Sequence, residues 1–154
     1  MLLCLFLTSC DKETRINRSL KVTTNDATMS YHQTSSNGVN ITTGNVIFSS
    51  TYEWKKPWNR PQAFGAVLYG KTNNLSIDNN MGSTNLNELE ADIEVVISAE
   101  TFTLINVDNK DGSLAQSFAP GDTMYYRAYA KVIPDDGGIF YIYGEEKFTV
   151  MAGE

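Results

Sequence analysis

Histidine occurs once in this chain and cysteine twice, and that scarcity removes most metal and nucleophile chemistry at the outset. A zinc site needs several Cys or His ligands. A Ser-His-Asp or Cys-His arrangement would have to pass through His32, which stands in Tyr31-His32-Gln33 with no nucleophile motif beside it. Positive charge is also short: 12 Lys and Arg against 18 Asp and Glu leave a formal net charge of −6. No Lys/Arg stripe interrupts that balance, so the concentrated positive charge that phosphate neutralisation requires is missing and a nucleic-acid partner is excluded. Long apolar runs are absent too. The longest, Met1 to Leu7, falls far below the roughly 20 residues of a membrane-spanning helix.

What the chain does have is length and strand-forming residues. Its 154 residues suit one domain plus a short tether and can bury a sizeable core without disulfides. Eight Tyr, seven Phe and two Trp, together with many Thr, Val and Ile, favour strands over helices. From Lys21 onward, short alternating or apolar runs are separated by Asn, Gly, Asp and Pro clusters, the spacing of an all-β sandwich or barrel. The strands expected are 21–32, 39–54, 62–70, 93–98, 101–107, 114–118, 123–133 and 139–150. Ser36-Asn37-Gly38 and Asp135-Asp136-Gly137-Gly138 supply residues that tolerate positive φ at hairpin turns. One short helix is expected over Thr84–Asp92, with Leu86 and Leu89 three apart behind Ser83/Thr84 caps.

Alternation assigns faces. Val46, Phe48, Ser50, Tyr52 and Trp54 share one side of their strand, leaving Ile47 outward without explanation. Met124, Tyr126, Ala128 and Ala130 form the core set of the 123–133 strand, with Tyr125, Arg127, Tyr129 and Lys131 opposite. In the last strand Phe140, Ile142, Phe148 and Val150 share parity with Glu146. A bulge near Gly144 would flip the register and remove that conflict.

The segment Leu7-Thr8-Ser9-Cys10 closes a short apolar run and resembles the lipobox of bacterial lipoproteins. The resemblance implies a signal peptide over 1–9, lipidation of Cys10, a flexible tether over 10–20 and a membrane partner reached through the lipid anchor. Such an anchor carries more than one acyl chain, palmitate among them, because a single chain holds a protein only marginally. The positively charged start of a signal peptide is missing here, as it would be if the start codon were placed too late. Asp11-Lys12-Glu13 resembles the charged export signals of Bacteroidetes-type surface lipoproteins, which implies the outer membrane or cell surface.

The segments Phe118-Ala-Pro-Gly-Asp-Thr-Met-Tyr-Tyr-Arg-Ala-Tyr-Ala130 and Tyr143-Gly-Glu-Glu-Lys-Phe-Thr149 resemble the last two strands of fibronectin type III-like domains, and Ala63–Thr72 is similar to their third strand. The resemblance implies an antiparallel β-sandwich of the fibronectin type III/immunoglobulin-like kind, with seven to nine strands over 21–152. It implies no activity, because such folds host many functions. Two departures stand out. Met124 falls where the fold's corner tyrosine belongs, so Tyr125 or Tyr126 takes that role or the corner is missing. The stretch Asn73–Asp111 exceeds the family's usual length, and an added hairpin of 93–98 with 101–107 is expected there.

Candidate sites are few. Glu88, Glu90, Asp92 and Glu94 could imitate paired catalytic carboxylates, but an unpartnered acidic run is ordinarily a solvated face. Val107-Asp-Asn-Lys-Asp-Gly112 resembles a calcium loop only superficially, since alignment on Gly112 puts Val107 at the first ligand position. No catalytic residue, metal or cofactor is therefore expected. Two aromatic groups remain. Trp54, Trp58 and Arg60 bracket the loop between two strands, where they could stack on a sugar or anchor a protein, or else plug the core. Tyr125, Arg127 and Tyr129 recur at every second position as an outward stripe, either a flat binding platform or cross-strand packing. The expected function is a non-catalytic, lipid-anchored envelope module that recognises a glycan or protein through the aromatic loop. The alternative is a structural or accessory subunit of an envelope or adhesion complex, joined through a sheet edge or the tyrosine face.

Overall fold

A long strand, Val39–Trp54 (β3), organises the first half of the molecule. A computed structural model describes residues 19–36, 38–55, 60–104 and 117–152. β1 (Leu20–Thr24) pairs antiparallel with the C-terminal third of β3, and β2 (Thr28–Ser36) with its N-terminal half. The single strand expected over 21–32 is corrected to two, because Asn25 breaks the run. Its Nδ2 donates to Ser49 Oγ (3.0 Å) and Thr51 Oγ1 (2.9 Å), and side-chain bonding of this kind competes with a continuing ladder.

The sheet continues from β3 to β7 (Ile93–Leu104), which ends in a two-residue parallel ladder with β8 (Ser117–Phe118). The expected hairpin of 93–98 with 101–107 is corrected to a single twelve-residue strand through Leu104. Ser98, Ala99 and Glu100 are held in register opposite Phe48, Ile47 and Val46, so nothing turns the chain there. The second sheet runs β10 (Phe140–Val150), β9 (Thr123–Ile133), β4 (Gln62–Gly70), with β5 (Gly82–Ser83) and β6 (Asn87–Glu88) both on the far side of β4. The molecule is an all-β sandwich of two antiparallel sheets, apart from the short parallel β7–β8 ladder. Ten strands are found among the described residues, seven of them five residues or longer.

The expected helix over Thr84–Asp92 is not formed. The far edge of β4 carries backbone groups that need partners, and the segment after Gly70 supplies them. Met81 N donates to Tyr69 O, Thr84 N to Val67 O and Leu89 N to Ala63 O, while Thr84 Oγ1 accepts from Val67 N (3.0 Å). Tertiary pairing outweighs a helix that would be about two turns long.

The inner faces match the alternation. Val46, Phe48, Ser50, Tyr52 and Trp54 of β3 are buried against Met124, Tyr126, Ala128 and Ala130 of β9. One core cluster stacks Phe48 on Tyr69 (centroids 5.9 Å) and sets Phe102 edge-on to both Tyr69 and Phe118. The other gathers Leu20, Tyr52, Trp54, Leu89, Val96 and Val132. Ser19 and Leu20 are buried, so the end of the expected tether (10–20) belongs to the sandwich; 1–18 lie outside the described residues.

A bulge does fall at Gly144: the β9–β10 register shifts between Tyr143 and Glu146. It turns Phe140 and Ile142 toward the core and leaves Phe148 and Val150 exposed. Glycine is required there, since a Cβ would lie 2.7 Å from Thr24 Oγ1. Thr24 in turn accepts a hydrogen bond from the amide of Ala128, opposite the bulge, at 3.0 Å.

Candidate functional site

The three residues expected around the aromatic loop fare differently. Trp54 is a correction: only 8 % exposed, it packs in the core with Tyr52, Leu20 and Ala63, because its parity on β3 turns it inward. Its ring is not available to a ligand. Trp58 lies outside the described residues. Arg60 is tied down, donating to Glu90 O (3.0 Å) and pairing with Asp92, so its guanidinium braces the segment leading into β7.

The outward stripe of β9 is buried at Tyr129 and half-buried at Tyr125 and Arg127, and of its two readings the structure shows cross-strand packing rather than a flat platform. Tyr129 is 3 % exposed, roofed by Leu75 and Ile77 of the β4–β5 connection and flanked by Tyr141 and Tyr143. Arg127 holds this roof in place: its Nε donates to Gly144 O (2.7 Å), its Nη1 to Leu75 O (3.2 Å), and its guanidinium lies 4.8 Å from the Tyr143 ring centroid. Glu146 accepts from the amides of Asn74 (3.1 Å) and Leu75 (2.6 Å), and Tyr143 Oη accepts from Ile77 N (3.1 Å). Tyr125 is half-buried beside Phe148 (centroids 6.1 Å). These three residues form cross-strand packing. Burial pushes the Tyr129 phenol above its ordinary pKa, with a smaller opposing effect from the Ser83 hydroxyl 3.1 Å away.

The corner tyrosine has no direct equivalent. Tyr126 Oη accepts from Ala27 N (3.1 Å) and so bonds to the opposite sheet's β1–β2 connection. Tyr52 does the reverse, donating from β3 toward Ala66 O (3.2 Å) and Tyr129 O (3.1 Å) in the second sheet.

His32 is exposed on β2, where its backbone carbonyl accepts from Thr43 Oγ1. Of the acidic run, Asp92 is committed to Arg60, and Glu94 accepts from the amides of Glu90 (3.0 Å) and Ala91 (3.4 Å) as a turn cap. Among the described residues no group of three His, Cys, Asp or Glu side chains could hold a metal, and no helix is long and apolar enough to cross a membrane. The 107–112 turn and Cys10 lie outside the described residues.

One surface was not singled out from the sequence. On the outer face of the first sheet, Ile93, Val95 and Ile97 of β7 are 62, 55 and 69 % exposed, and Ile47 of β3 lies beside them opposite Ala99. Successive members of the stripe stand about 7 Å apart along the strand. The edge of β7 beyond them is open: among the described residues no strand pairs with it between Ile93 and Phe102. Its backbone polarity follows from one bond. Trp54 N donates to Asp92 O, which continues the β3–β7 register and makes the even-numbered residues of β7 the ones bonded to β3. Ile93, Val95, Ile97, Ala99 and Thr101 therefore direct both N–H and C=O at the open edge, the same residues whose side chains line the outer face. The only charges on β7 are Glu94 and Glu100, on its other face. Both are half-buried, and burial raises the Glu100 carboxyl above its ordinary pKa. The signal was present in Ile93-Glu-Val-Val-Ile-Ser-Ala, but alternation alone could not say which parity faced the core.

Comparison with protein-family models gives no match, and comparison with curated proteins gives none either. Among solved structures, the chain is similar to the Northeast Structural Genomics Consortium target SoR45, at 11 % identity over 90 % of this chain and 89 % of that one. The TM-score is 0.38.

Proposed function

We propose that the chain is a non-catalytic, lipid-anchored envelope module of fibronectin type III-like ancestry, which joins a larger envelope assembly by recognising a protein through the outer face of β7. The observation that carries this reading is the open stripe of Ile93, Val95 and Ile97. Isolated exposed apolar residues are ordinary, but a contiguous β-branched row beside a strand edge that no described strand covers is an interaction or aggregation surface. The lipobox-like Leu7–Cys10 and the charged residues after it support display outside the cytoplasm. Of the residues behind the glycan reading, Trp54 is core and Arg60 is engaged, while Trp58 lies outside the described residues.

The test is site-specific photo-crosslinking in intact cells of the native host. A crosslinker at position 97 is expected to give one discrete protein adduct, one at Asp135 in the β9–β10 turn none, and Ile97→Lys is expected to abolish adducts formed from position 95. Recovery of the monomer alone from positions 95 and 97 would contradict the reading. Palmitate labelling lost in Cys10→Ala tests the anchor separately.

A further inference from the structure

The geometry points to strand addition as the mode of recognition: β7 accepts an antiparallel strand from a partner protein that carries apolar residues on its outer face and basic residues opposite Glu94 and Glu100. This inference rests on the docking role proposed for the β7 face. Three observations converge. Among the described residues no strand pairs with this edge over Ile93–Thr101, and there the N–H and C=O groups of Ile93, Val95, Ile97, Ala99 and Thr101 form a ladder for a strand of the same length. The side chains of those residues make the apolar half of the site, so a partner's matching residues extend the Ile93–Val95–Ile97 row directly. The opposite face of the strand bears two carboxylates and no cation, six residues apart, so an added strand meets them at two same-parity positions.

Those carboxylates decide the occupant. A second copy would pair β7 with β7 across a two-fold axis at Ile97, which gives full hydrogen bonding and sets Ile97 against Ile97. The same register sets Glu94 against Glu100 twice, on the half-buried side. Like charges directly opposite destabilise a pair, and inward-pointing charges are a known guard against edge-to-edge association. A partner strand with Lys or Arg at those two positions turns the guard into attraction. In that register the edge disfavours a second copy and favours a basic strand.

The experiment uses the full chain and three synthetic nine-residue peptides, matched in length to Ile93–Thr101. The first is Thr-Lys-Val-Thr-Val-Thr-Val-Lys-Val, which places Lys opposite Glu100 and Glu94 and Val opposite Ala99, Ile97, Val95 and Ile93. The second replaces both Lys with Glu. The third is the first with its central Val N-methylated, which removes one ladder donor and leaves the protein untouched. Fluorescence anisotropy is expected to show binding of the first peptide, at least about ten-fold weaker binding of the second, and none of the third. In Ile97→Pro, whose lost N–H faces the open edge, the first peptide is expected not to bind while the melting transition persists. Equal binding of the Lys and Glu peptides, undiminished binding of the N-methylated one, or no binding at all would overturn the inference. So would a dimer in sedimentation that Ile97→Pro dissociates, which would make the occupant a second copy. Failure here with position-97 adducts still formed in cells would leave the docking role standing and remove only strand addition.

Discussion

Two side chains show how the sheets are held at a fixed separation. Tyr52 reaches across from β3, and Gly65 on β4 makes room for it: a Cβ there would lie 2.4 Å from the Tyr52 ring. Thr24 reaches across from β1 to the Ala128 amide that the Gly144 bulge deprives of a ladder partner. Removing that hydroxyl strands a buried N–H, which costs about 1–3 kcal/mol. Thr24→Val is therefore expected to lower stability by that amount in urea unfolding, whereas Thr23→Val, on the outer face, is expected to stay within about 0.5 kcal/mol. The tyrosines set the alkaline limit. Burial raises the phenols of Tyr52, Tyr69 and Tyr129 above 10.0, so the folded state keeps protons that the unfolded chain releases. The stability this lends is complete below pH 10 and falls as pH climbs past it toward the raised values, by up to about 1.4 kcal/mol per pH unit for each such group. Thermal melts across that range check the sign; a Tm that rises with pH would contradict it.

At the scale of elements, the segment between β4 and β7 separates what local pattern reveals from what it does not. Ser83, Thr84, Leu86 and Leu89 carry a plausible helix start, yet the chain lies along β4 and meets it at three points. A helix would present Leu86 and Leu89 on neighbouring positions of one face. The observed path buries Leu89 and leaves Leu86 exposed. Leu89→Ala is accordingly expected to cost about 2–4 kcal/mol in chemical denaturation, and Leu86→Ala less than about 0.5 kcal/mol. Comparable losses would restore the helical reading. By contrast β3 and β9 run over the residues expected, because each has a core face of fixed parity, and β4 does so as an apolar run buried on both faces. The bulge was legible for the same reason, as a parity conflict at Glu146. What the pattern could not show were long-range hydrogen bonds: Asn25 to Ser49 and Thr51, Arg127 to Leu75, and the pairing that keeps 93–104 a single strand.

For the molecule as a whole, the same limit governs the site. The sequence marks Trp54, Arg60, Tyr125, Arg127 and Tyr129 by residue type, and the fold spends each of them on internal packing or bracing. The β7 stripe consists of ordinary strand residues, and it stands out only once its partners on β3 are known and no described strand is found along its other edge over Ile93–Phe102.

Amide hydrogen exchange along β7 tests this most directly. In the purified chain, the amides of Val95, Ile97, Ala99 and Thr101 are expected to exchange fast and those of Val96, Ser98, Glu100 and Phe102 slowly. When the labelled chain is incubated with envelopes from its native host, the fast set is expected to slow by at least about ten-fold while the slow set stays unchanged. An exchange pattern without alternation would contradict the open edge, and a fast set indifferent to the envelopes would contradict its role in docking.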